Sequence, residues 1–129
     1  MNSTDETKPT TTAEDLLAWK SSELDAIAVR MLVEEHEILD RPAFQRVTVV
    51  QADNGVHADW VHLSPCLDKL VHDEDQEERQ FLEIVLAIAL GRQILLDCVR
   101  QLGERRLAIV LRALVAWAGV DSIAVGTRS

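Results

Sequence analysis

The sequence lacks a run of about 18 or more uncharged apolar residues, the length a membrane-crossing helix needs. Its longest apolar stretch, residues 81–96, is interrupted by Glu83 and Arg92, so no membrane span is expected. The start of the chain shows no basic segment followed by an apolar one, and no secretory signal is expected either. Basic charge is scarce: 13 Lys and Arg against 22 Asp and Glu leave a formal charge of −9. That balance argues against a generic binder of the nucleic-acid backbone. Cysteine is scarce as well. Cys66 and Cys98 are the only two, too far apart in sequence for a zinc knuckle or a redox pair. Each has apolar neighbours, so both are expected to be reduced core side chains of a cytoplasmic protein.

Catalytic signatures are missing too. There is no Gly-x-Ser-x-Gly elbow, no phosphate-cradling glycine loop and no dinucleotide glycine pattern. No catalytic residue and no cofactor is therefore assigned. Metal sites need three or four converging ligands. His36 sits among Glu34, Glu35 and Glu37, which fan out around a helix, and Val33 stands where a di-metal bundle needs an acid. His57 with Asp59, and Asp68 with His72, supply only two ligands each. No metal site is expected.

What remains is one domain's worth of chain, 129 residues with 47% apolar and 27% charged, a globular composition. Residues 1–12 are polar and are read as a mobile tail, leaving a single helical domain over 13–129. Thr11 with Glu14, or Thr12 with Asp15, has the spacing that caps a helix start. A long helix is expected over 13–39, with Leu17, Leu24, Met31 and Ile38 on its apolar stripe and Pro42 ending it. The β-branched run 45–51 and residues 56–63 predict a hairpin at about 45–63, turning on Asn54-Gly55. In that register Val49 faces Trp60, and Val47, Val49, Trp60 and His62 share one face. Ser64-Pro65 reads as the start of a short helix. A long helix over 75–102, with Gly91 inside it, and a last helix over 104–118 complete a mostly helical α+β fold. Residues 120–126 are expected to form an extended tail packed on the domain.

The two C-terminal helices are apolar on nearly every side, and such surface must be buried. Either the rest of the chain sandwiches both, or a second copy covers part of them; the second arrangement is favoured, because large exposed apolar patches mark interfaces. Phe81, Val85, Ile88, Ile109 and Val115 are the expected interface residues. In this layout Leu111 and Leu114 line the covered stripe, while a monomer would leave Ile109 and Val115 exposed. Asp73, Glu74, Asp75, Glu77 and Glu78 form an acidic run that could dock a second protein, such as a basic one. Against it stand Arg100, Arg105, Arg106 and Arg112, and acids also suit a helix N-terminus. The functional expectation is a small acidic interaction module, an adaptor or inhibitor that self-associates. The alternative is a small enzyme or ligand-binding protein with a pocket at Trp60, His62 and Cys66.

Overall fold

The computed structural model describes residues 11–19, 21–53, 55–72 and 74–126. The expected mobile tail lies outside them, apart from Thr11 and Thr12. The fold is mostly helical α+β, with six α-helices, one 3-10 helix and a two-stranded antiparallel hairpin among the described residues.

Thr11 opens α1 (Thr12–Leu17) with a reciprocal cap, its hydroxyl accepting from Glu14 N–H while Glu14 accepts from Thr11 N–H. The single helix expected over 13–39 is broken. A second start signal, Ser22 three residues before Asp25, caps α2 (Glu23–Glu35). Capping satisfies amides that a continuous helix would have bonded internally, so the chain restarts there. One consequence is that Leu17 stays 53% exposed while Met31 is buried. α2 stops at His36, a non-glycine residue at φ 58°; Ile38 and Leu39 beyond it turn inward.

Pro42 starts a helix as well as following one. It is the first residue of α3 (Pro42–Thr48), where proline's fixed φ fits and its missing N–H costs nothing. Phe44 and Thr48 are buried there, so packing overrides the β-branched character of Val47 and Thr48. The strands are accordingly shorter than expected: β1 (Val49–Ala52) pairs with β2 (Gly55–Ala58). Val49 pairs with Ala58 and Ala52 with Gly55, two positions from the predicted register. Gly55 is thus a strand residue, at φ 123°, and Asn54 lies outside the described residues.

Trp60 and His62 are helical, not extended. Asp59 caps α4 (Trp60–Leu70) by accepting from His62 N–H at 3.0 Å, so this helix begins before Ser64 and contains Pro65. Asp75 caps α5 (Gln76–Leu90), which Gly91 closes in a left-handed conformation. The long helix expected over 75–102 therefore ends at Gly91, because a residue at positive φ cannot continue it. A 3-10 helix, Leu96–Gln101, leads to α6 (Gly103–Ala118), closed by Gly119.

α5 is the central helix, packed against α2, α4, α6 and the 3-10 helix. Phe81, Leu82, Val85 and Leu86 are almost wholly buried on it, each such side chain contributing about 1.5–3 kcal/mol. α2 also packs on α6, α3 on α4, and the hairpin on α1. The rest of the chain encloses α5 but covers only one side of α6.

Candidate functional site

The covered side of α6 is set by charge. Arg106, Ile109, Val110 and Ala113 recur at helical spacing and are all buried. An arginine belongs to this stripe because Glu35, at the end of α2, waits inside with no exposed surface. Arg106 donates from Nε and Nη2 to Glu35 Oε2, at 3.1 and 2.9 Å. Arg105 donates to the same oxygen and to the Glu35 carbonyl, and Ile38 N–H donates to Glu35 Oε1. Burial pushes the Glu35 carboxyl up, but the hydrogen bonds from Ile38, Arg106 and Arg105 and the Arg106 charge outweigh it and hold the group below the ordinary carboxylate range. Glu37 and Glu77 complete this clasp around Arg105 and Arg106.

With that stripe fixed, the opposite side of α6 faces out. Leu111 is 41% exposed and Leu114 39%, and Ile123 in the following segment is 57% exposed. Trp117, four residues past Ala113 on the inner stripe, is 53% exposed in the last turn of the helix. The C-terminal segment turns back along the helix, held where Arg112 donates to the Val125 carbonyl at 3.0 Å. Arg112 is itself anchored by Glu34 at 2.7 Å. Between helix and segment lies a groove of about 360 Å³ lined by Leu111, Leu114, Val115, Val120, Ile123 and Val125, together with Ala118. Every lining side chain is aliphatic.

This corrects the expected interface. Phe81, Val85, Ile88 and Ile109 are buried in the chain's own core and offer nothing to a partner. Val115 is half-buried and lines the groove. The expected assignment on α6 is reversed: Ile109 is covered, whereas Leu111 and Leu114 are open. The sequence signal was Arg106, whose spacing to Ile109, Val110 and Ala113 marks the inner stripe, but an arginine reads as outward-facing until its buried acid is known.

The acidic run is largely consumed by the fold. Asp75 is a helix cap. Glu78 is buried and accepts from Arg41 at 2.6 Å, and Glu77 lies 3.5 Å from Arg106. Glu74 is exposed; Asp73 lies outside the described residues. The arrangement is therefore not a continuous docking strip, because acids in a first helical turn are recruited by amides and neighbouring arginines.

Trp60, His62 and Cys66 do not converge. Trp60 is buried and donates from Nε1 to Asp25 Oδ1 at 2.7 Å. His62 is exposed, its Nδ1 2.9 Å from the Val47 carbonyl. Cys66 is half-buried one turn further along α4. His57 packs its ring against Trp19, with centroids 5.8 Å apart, and Asp59 is spent on capping. Among the described residues, no group of three or more His, Cys, Asp or Glu side chains is placed to hold a metal ion. No helix among them is long and apolar enough to cross a membrane.

No family model, curated protein or solved structure matches the chain.

Proposed function

We propose that this protein is a small acidic cytoplasmic interaction module, an adaptor or inhibitor, that docks through the outer face of α6 and its returning segment. The observation that carries the reading is the aliphatic groove, whose lining includes exposed Leu111, Leu114 and Ile123, with Trp117 exposed in the last turn of the same helix. Exposed apolar surface of this extent is a liability unless a partner covers it, and tryptophan is prominent among residues that dominate binding energy.

The first partner is a second copy. The groove runs along one face of α6, so a two-fold axis can bring the same face of each copy together, and closed dimers are the commonest soluble oligomers. The cytoplasmic assignment is supported by two free thiols. Sedimentation equilibrium at micromolar concentration tests the proposal. A dimer that Leu114→Asp converts to a folded monomer supports it; a monodisperse monomer for the unaltered protein overturns it.

A further inference from the structure

A second groove, sharing no residue with the first, lies where the chain leaves α5. After Gly91 it runs without regular structure to the 3-10 helix, and a space of about 290 Å³ opens against the flank of α5. Gln80, Glu83 and Ala87 of α5 face Ile94, Leu95 and Cys98 across it. The rim is unusual. Ile94 is 41% exposed, Leu95 78% and Leu96 81%, so three consecutive apolar side chains are held partly or largely in water.

Glu83 decides what the groove suits. It is half-buried, and among the described residues it makes no hydrogen bond or ion pair. The nearest outcome for such a carboxylate is a cation brought by something else, because partial burial weakens its hydration. Arg92 also lines the groove; it donates to Ser64 Oγ at 2.8 Å, which holds the side chain on α4 but leaves its charge in place, so the attraction for a cation is that of Glu83 itself. Asp97, beside Cys98 but outside the groove lining, is exposed and paired with exposed Arg100 three residues on, at 3.5 Å. The Cys98 thiol registers the field: burial first, then the charges of Glu83 and Asp97, hold it above the ordinary thiol range.

We propose that this groove binds a peptide segment of another protein in which a lysine or arginine sits beside aliphatic residues, the cation pairing with Glu83 and the aliphatic side chains covering Ile94 and Leu95. An aliphatic lip around an unpaired acid complements that chemistry and disfavours an acidic segment, which would meet both Glu83 and a chain of charge −9. The second copy assigned to the α6 face is not required for it.

Cys98 supplies a local reporter. In a Cys66→Ser background, the rate of Cys98 alkylation is followed as a 12-residue peptide of alternating leucine and lysine is added, with the leucine–glutamate peptide as control. Saturable protection by the lysine peptide alone is expected. Glu83→Gln should weaken it about five- to tenfold, the scale of one partly desolvated ion pair. Leu95→Ser, at an exposed position, should weaken it without touching the fold, so the test does not rest on one variant. Leu114→Asp should leave protection intact, which separates this proposal from the α6 dimer. Equal protection by both peptides, protection by neither, or protection that rises with protein concentration alone would overturn it; the last would assign the groove to a second copy.

Discussion

Arg106 and Glu35, 71 positions apart in the chain, form a buried pair in which two guanidinium nitrogens donate to one carboxylate oxygen. This pair joins the end of α2 to the start of α6, and so decides which side of α6 faces solvent. Removing Arg106 leaves Glu35 to Arg105 and Ile38 N–H, and removing Glu35 leaves Arg106 only the longer contacts to Glu77 and Glu37. Each loss should therefore reach at most about 3–5 kcal/mol, the cost of a fully broken buried pair, with Glu35 the costlier to remove. Urea denaturation should show both Arg106→Ala and Glu35→Ala destabilised, Glu35→Ala by the larger amount. The double variant Arg106→Met, Glu35→Leu should be more stable than Glu35→Ala, because no buried arginine is then left short of its acid, but not fully restored, because Ile38 N–H and Arg105 lose their acceptor.

The pH dependence follows from two depressed acids. Glu35 and Asp25 both lie below their ordinary values of 4.5 and 3.8. For Asp25, burial acts upward, while hydrogen bonds from Ser21, Trp60 and Ser22 outweigh it. A folded-state value below the unfolded one means that the unfolded chain takes up protons first. Their stabilisation is therefore complete above the ordinary values and is lost as the pH falls through the depressed ones. The melting temperature should decline below about pH 4.5, and Glu35→Gln should start lower and show a shallower decline over the same range.

Gly55 occupies φ 123°, with nothing within 4 Å of where a Cβ would stand. The cost of Gly55→Val is thus conformational, not steric contact with neighbours, and should be about 1–3 kcal/mol. Thermal unfolding checks it; an unchanged melting temperature would count against the hairpin geometry.

Two positions on α6 should respond oppositely to the same substitution. Ile109 is 2% exposed and Leu114 39%. Ile109→Asp places a charge in the core with no partner, and should give unfolded or insoluble protein. Leu114→Asp should stay folded by circular dichroism and, on the proposed function, lose the dimer.

Both cysteines are half-buried rather than wholly enclosed, and Cys98 is held above the ordinary thiol range. Since the thiolate is the reactive form, Cys98 should be alkylated at neutral pH more slowly than a free cysteine peptide. The rate should rise with pH and on adding urea.

Local chemistry in the sequence was enough to determine the helix-rich α+β class, a capped helix start at either Thr11 with Glu14 or Thr12 with Asp15, the last helix with its stop at Gly119, and the presence of a hairpin before the final helices. Those features depend on contacts within a few residues, where spacing and residue type carry the physics. Boundaries with two local readings were not determined that way. Pro42 both closes one segment and opens α3; Gly91 is tolerable within a helix and is also a good end for one. Ser22 competes with continuity of the long helix. The outward face of α6 was beyond local reading altogether. Arg106 points inward because Glu35 is buried at the end of a different helix, and the Coulombic attraction between them has no trace in either segment alone. Once that pair forms, Ile109 must follow Arg106 into the core and Leu111 and Leu114 must turn to water. The chemistry of the exposed surface was decided by the tertiary structure, through the packing of Ile109, Val110 and Ala113 on the core together with an ion pair between distant residues.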